Sequence, residues 1–148
     1  MSSTYLSLHY HIVFSTKDRK RLIAPSWRSR FHEYLGGTIR GLDGYPEGVG
    51  GVDDHVHLLV GLKSTHRLSD VMRELKKASS AWVQEDVGVS GFGWQEGYAA
   101  FTVSATVLDV VKNYISRQEE HHCTKSFREE LVGMLKKAGI EFDPKYLD

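Results

Sequence analysis

Residues 49–62 read Val-Gly-Gly-Val-Asp-Asp-His-Val-His-Leu-Leu-Val-Gly-Leu. Val49 to Val52 is a short, glycine-rich apolar run, Asp53-Asp54 is turn-prone, and Val56 to Leu62 is a second apolar run. Two apolar runs joined this closely predict an antiparallel hairpin in the middle of a sheet. Eight of the 14 glycines fall between Gly36 and Gly61, so this part of the chain needs tight backbone geometry.

Working outward, Tyr5 to Phe14 is rich in β-branched and aromatic residues and predicts a first strand. A basic loop, Ser15 to Arg21, follows it. Pro25 then suits the first turn of a helix in which Trp27, Phe31, Tyr34, Leu35 and Ile39 recur at helical spacing. After the hairpin, Leu68, Val71, Met72, Leu75, Ala78 and Trp82 mark a second helix, with Thr65 or Ser69 as its N-cap. A glycine-rich loop leads to a fourth strand, Tyr98 to Ser104. Ser104 then caps a third helix running through Val107, Val110, Val111, Tyr114 and Gln118. Ser126-Phe127-Arg128-Glu129 is a capping box that opens a fourth helix, which Gly139 closes. The order is β-α-β-β-α-β followed by C-terminal helices. This is an α+β, ferredoxin-like arrangement, an antiparallel sheet with helices on one face.

The chain has 148 residues, which predicts a single domain over 1–148. With 41% apolar and 26% charged residues it has the composition of a globular domain that holds its core without staples. The one cysteine, Cys123, excludes a disulfide framework or a cysteine-rich zinc module and reads as an inert, reduced thiol. No apolar stretch is long enough for a membrane span and no leader pattern opens the chain, so the expected compartment is the cytoplasm. Net charge is zero, with 19 Lys+Arg against 19 Asp+Glu, which argues against nucleic-acid binding by bulk electrostatics alone.

His55-Val56-His57 is the sharpest chemical feature. In a strand, residues i and i+2 share a face, so both imidazoles project together and form half of a divalent-metal site. The competing reading is a pair of partly exposed strand histidines. For Asp53 and Asp54 turn formation is the favoured reading. Tyr114 and Gln118, four apart on a helix, share a face; a tyrosine is a good nucleophile toward phosphodiesters, and a glutamine offers a neutral oxygen ligand. Taken alone, the favoured reading of the pair is a tyrosine buried in the helix stripe and a glutamine at its edge. His9 and His11 share a strand face and are read as packing residues. His121 and His122 lie close enough to Gln118 to approach a metal there.

Asp54-His55-Val56-His57-Leu58-Leu59-Val60 and Asn113-Tyr114-Ile115-Ser116-Arg117-Gln118 together resemble the signature of single-tyrosine transposases of the IS200/IS605 type, within the HUH endonuclease superfamily. Tyr10 to Lys17, Leu75 to Ser80, Phe92 to Tyr98, His121-His122 and Phe142 to Leu147 match further family segments in the right order, so the resemblance covers nearly the whole chain. It implies that Tyr114 is the catalytic nucleophile. It also implies that His55, His57 and Gln118 hold Mg²⁺ or Mn²⁺, and that single-stranded or hairpin DNA is the substrate. The reaction would cut and rejoin that DNA through a 5′-phosphotyrosine, in a homodimer and without a nucleotide cofactor. Lys17, Arg19, Lys20 and Arg21, the densest basic run, are the candidate phosphate contacts, ahead of Lys76-Lys77 and Lys136-Lys137. Trp94 could stack on an unpaired base, whereas Tyr98 reads as core. Other readings are a domesticated relative that processes repeated genomic hairpins, a non-catalytic ferredoxin-like nucleic-acid-binding module, and an inert relic that only dimerises.

Overall fold

The computed structural model describes residues 3–122 and 124–147, so Cys123 lies outside the described residues. Strands β1 (His9–Ser15), β2 (Tyr45–Gly51), β3 (His55–Gly61) and β4 (Ala99–Thr102) form one antiparallel sheet in the order β2-β3-β1-β4. Helix α1 (Pro25–Gly41) joins β1 to β2, and α2 (Leu68–Trp82) lies between β3 and β4, which gives the expected βαββαβ order.

The two central strands alternate. Ile12, Phe14, Val56, Leu58 and Val60 pack on Trp27, Phe31, Leu35 and Ile39 of α1 and on Val71, Met72 and Leu75 of α2. At about 1.5–3 kcal/mol for each large apolar side chain removed from water, this layer dominates the stability of the fold. Helices on one face describe α1 and α2 well, but every residue of β3 is buried, so the opposite face is covered too. There α3 (Leu108–Ser116) packs Ile115 with Leu59 and Val103. On the same face, α5 (Phe127–Lys137) packs Phe127, Leu131 and Leu135 with Val13. The short α4 (Gln118–His121) lies between these two helices in sequence. The sheet face that carries His11, His55 and His57 is therefore roofed by the C-terminal helices.

Several boundaries differ from the sequence reading for local reasons. Tyr5 and Leu6 stay outside β1 and are exposed, because β1 pairs with β3 only from His9 opposite Gly61 onward. β2 starts at Tyr45 rather than Val49; as an edge strand it tolerates Pro46, with a register shift between Pro46 and Gly48. The N-cap of α2 is Arg67, without a side-chain hydrogen bond, rather than Thr65 or Ser69. Ser104 accepts from the Thr106 N–H and caps a short 3₁₀ turn before α3. The expected third helix breaks at Arg117 (φ −110°, ψ 29°), so Tyr114 and Gln118 sit on consecutive helices.

Candidate active site

β3 emerges from its turn at His55 and carries His55 and His57 on the face beneath the C-terminal helices. Gly50, opposite His57 in the register, lets α3 approach β2 very closely: a Cβ there would stand 2.1 Å from the carbonyl oxygen of Ile115. That approach brings Tyr114, one residue earlier, over the sheet. The capping box of Ser126 and Glu129 starts α5, whose packed side carries Phe127, Glu130 and Leu131. The four residues singled out from sequence thus converge, and Glu130 joins them at the centre.

The contacts form a closed network. His55 Nδ1 donates to Asp54 Oδ1 (2.7 Å) and its Nε2 faces Gln118 Oε1 (3.0 Å). His57 Nε2 lies 3.1 Å from Glu130 Oε1, and its Nδ1 lies 2.8 Å from His11 Nε2. His122 Nε2 reaches Gln118 Oε1 (3.1 Å) and Glu130 Oε1 (3.0 Å). Glu130 Oε2 accepts from the Tyr114 hydroxyl and from Gln118 Nε2. His55 and His57 are fully buried, and the Tyr114 ring stacks on His121 with centroids 4.4 Å apart.

Burial and charge set the protonation pattern. Burial alone would lower the His55 imidazole, but the hydrogen bonds to Asp54 and Glu130 push it up to about 9. Burial keeps His57 below its usual value, and with the charge of His57 it takes His11 down to about 3. Burial would raise the Glu130 carboxyl, yet its bonds to His122, His55 and His57 hold it far below the usual carboxylate range. Burial, and then the bond to Glu130, push the Tyr114 phenol above its ordinary value. The site therefore combines a cationic imidazole, neutral imidazoles and a buried carboxylate with a protonated phenol. Three imidazole Nε2 atoms, a carboxylate and an amide oxygen form a donor set suited to a divalent first-row metal. His55, His122 and Glu130 satisfy the spacing of such a site by themselves.

Residues 4–118 match the family described as "Transposase IS200 like". The chain belongs to the IS200-like transposase family. No curated protein matches it. Among solved structures, it resembles a "putative transposase" from Deinococcus radiodurans at 22% identity and TM-score 0.59, covering 78% of this chain and 94% of that one. It also resembles a REP-associated tyrosine transposase bound to a REP hairpin at 14% identity and TM-score 0.55, covering 78% of this chain and 70% of that one. These two likenesses bear on the fold.

As a transposase of this family, the chain places its other candidate residues unevenly. Arg19 and Arg21 line a cleft of about 770 Å³ beside Asp54, His122, Lys125 and Arg28. Lys17 and Arg19 line a neighbouring cleft with Gln95 and Lys145, whereas Lys20 is exposed and lines neither. Lys76 is committed to structure: its Nζ bonds the carbonyls of Gln95 and Gly97 and lies over the Phe14 ring. Lys136 and Lys137 end α5, where they complement its dipole. Trp94 packs on Phe14 and donates to Ser79 Oγ (2.9 Å), so it is a core residue rather than a base-stacking platform. Tyr98, read from sequence as core, is exposed and lies over Lys76.

Three residues gain roles that their sequence context did not suggest. Asp54, read as a turn former, also orients His55, the arrangement by which a carboxylate fixes the tautomer of a metal-binding histidine. His11, read as packing, stands behind His57 in the same way. Glu130 lies 73 positions from His57 and belongs to no motif. Its one sequence signal is a carboxylate within the apolar stripe Phe127, Leu131 and Leu135 of α5. A smaller opening of about 190 Å³, lined by Tyr114, His121, His122, Thr124, Lys125 and Glu130, leads onto the cluster.

Proposed function

We propose that this transposase cleaves and rejoins single-stranded DNA through a 5′-phosphotyrosine on Tyr114, with His55, His57 and Gln118 holding Mg²⁺ or Mn²⁺. The observation that carries this reading is the convergence of Tyr114 and Gln118, from two helices, on the two β3 histidines. The fit of the donor set supports the metal. Two imidazoles with their far nitrogens engaged, by Asp54 and by His11, present Nε2 inward, and the Gln118 oxygen lies 3.0 Å from one of them. A divalent cation there supplies charge that offsets the negative charge developing on a phosphodiester.

The remaining chemistry falls to the protein. The half-buried Tyr114 hydroxyl, held by Glu130 and by stacking on His121, faces the small opening in which a phosphate can sit. Attack by this oxygen forms the Tyr114 O–P bond and breaks the bond to the 3′-oxygen, which leaves as a hydroxyl. Bond energy is retained in the covalent link, so a later 3′-hydroxyl can reseal the strand without a nucleotide cofactor. Arg19, Arg21 and Lys125 line the adjoining cleft and suit the backbone of a single strand. The hairpin-bound relative supports a hairpin as the DNA form. The whole chain acts as one catalytic domain in the cytoplasm. A homodimer would let so small a domain hold two DNA ends; among the described residues, no helix is long and apolar enough to cross a membrane.

The test is incubation with end-labelled hairpin single strands and Mn²⁺. A covalent protein–DNA adduct should form and should be lost in Tyr114→Phe and on chelation. An adduct that survives in Tyr114→Phe removes Tyr114 as nucleophile, and binding without cleavage of any hairpin favours a non-catalytic binding module.

A further inference from the structure

Glu130 is a buried carboxylate on the packed side of α5, and both of its oxygens are engaged. Its Oε1 lies 3.1 Å from His57 Nε2, 3.0 Å from His122 Nε2 and 3.4 Å from His55 Nε2. Its Oε2 takes the Tyr114 hydroxyl and the Gln118 amide. Gln118 Oε1 in turn stands 3.0 Å from His55 Nε2 and 3.1 Å from His122 Nε2. Donors that share a cation at bond lengths near 2.1 Å stand roughly 3.0–3.4 Å from one another, depending on coordination number.

We propose that Glu130 and His122 are ligands of the same divalent cation as His55, His57 and Gln118, and that Glu130, through its second oxygen, ties the Tyr114 hydroxyl to that cation. The inference rests on the metal reading above and extends it in two ways. First, it makes the site one of three imidazoles, a carboxylate and an amide oxygen. Such a set favours Mn²⁺ or a later first-row ion over Mg²⁺, which prefers oxygen ligands and retains water. Second, it makes Glu130 a positioning residue, because the group that holds the nucleophile is itself anchored on the metal.

The donor atoms of His55, His122 and Glu130 lie within 4.8 Å of one another, and His57 joins them through its 3.1 Å contact to Glu130 Oε1. His55 gives its Nδ1–H to Asp54, so a cation that displaces the proton on Nε2 takes that nitrogen as its ligand while the Asp54 contact stays in place. His57 is freed at Nε2 when its Nδ1 carries the proton and donates it to His11 Nε2, 2.8 Å away. Oε1 and Oε2 of Glu130 are divided between the histidine side and the tyrosine side, so coordination through Oε1 leaves the Tyr114 bond in place. A carboxylate in the stripe Phe127, Leu131 and Leu135 is costly to bury unless charge or metal meets it, and a cation shared with the histidines would meet it.

The experiment is a Mn²⁺ titration of the full chain without DNA, followed by EPR, with pulsed EPR to count coordinated imidazole nitrogens. The wild type should bind Mn²⁺ with three such nitrogens, His122→Gln should show two, and Glu130→Gln should weaken Mn²⁺ binding at least about tenfold. In single-turnover cleavage at saturating Mn²⁺, Glu130→Gln should slow adduct formation while DNA affinity stays constant. Two nitrogens in the wild type remove His122 from the site, a count that does not depend on any variant folding. Mn²⁺ affinity that is unchanged or tighter in Glu130→Gln overturns the ligand role of Glu130 and marks it as an occupant that the metal displaces. An unchanged adduct rate overturns its positioning role. Failure of the wild type to bind Mn²⁺ at all refutes the underlying metal reading and this inference together.

Discussion

Gly50→Ala probes how the sheet sets the position of Tyr114. The added Cβ would lie 2.1 Å from the Ile115 carbonyl oxygen and 3.0 Å from both its carbonyl carbon and Cγ2. The first contact involves backbone, so no rotamer change relieves it. Restoring an ordinary carbon–oxygen separation requires α3 to retreat from β2 by about 1 Å, because packed interiors hold no slack. Overpacking of this kind costs roughly 1–3 kcal/mol. At roughly 2–4 °C per kcal/mol for a domain of this size, the melting temperature should fall by about 2–12 °C. Tyr114 precedes Ile115, so the same shift draws its hydroxyl away from Glu130, and a 1 Å misplacement of a reacting group costs on the order of 10²-fold in rate. Two assays follow: thermal and urea unfolding, which need no assumption about function, and single-turnover adduct formation on hairpin DNA. Gly37→Ala is the internal control. Gly37 lies inside α1 with nothing within 4 Å of an added Cβ, so alanine there should stabilise by about 0.5–1 kcal/mol. If Gly50→Ala unfolds with the wild type, or both substitutions shift stability in the same direction, the close approach of α3 to β2 does not organise this site.

Other outcomes follow from single contacts. Ser126→Ala removes one half of the capping box that starts α5 and should cost about 1 kcal/mol in urea unfolding. His32 on α1 is partly buried beside Arg28, with Nε2 unpartnered among the described residues; burial and then the Arg28 charge take it down to about 4. A depressed histidine adds stability that is complete above pH 6.5 and is lost as pH falls toward 4, so denaturation curves of His32→Leu should lack up to about 3 kcal/mol of that acid limb. Arg21 is exposed and its ion pair with Asp53 spans 3.9 Å, so its charge is available to DNA at the large cleft. Arg21→Ala should reduce the logarithmic salt dependence of single-strand binding by about 0.7, and an unchanged slope removes it from the interface.

The sequence by itself determined the sheet and its first helix layer, because these rest on local patterns. The apolar run Val56 to Leu62, helical spacing in Leu68 to Trp82 and the Ser126 capping box each need only neighbouring residues to be read. The period of two also placed His55 and His57 on one face. Resemblance, rather than spacing, brought Tyr114 and Gln118 to them; the helix that was to join those two residues is broken at Arg117. Tertiary structure alone decided which layer covers the histidine face, because that depends on how far residues 104–147 travel back across the sheet. It decided the roles of Asp54 and His11, which depend on where the ring nitrogens of His55 and His57 point rather than on residue type. It also decided Glu130, whose partners lie as far as 75 residues away in sequence. A buried carboxylate declares itself only when the charges that compensate it are in place, and those charges come together only when the chain folds.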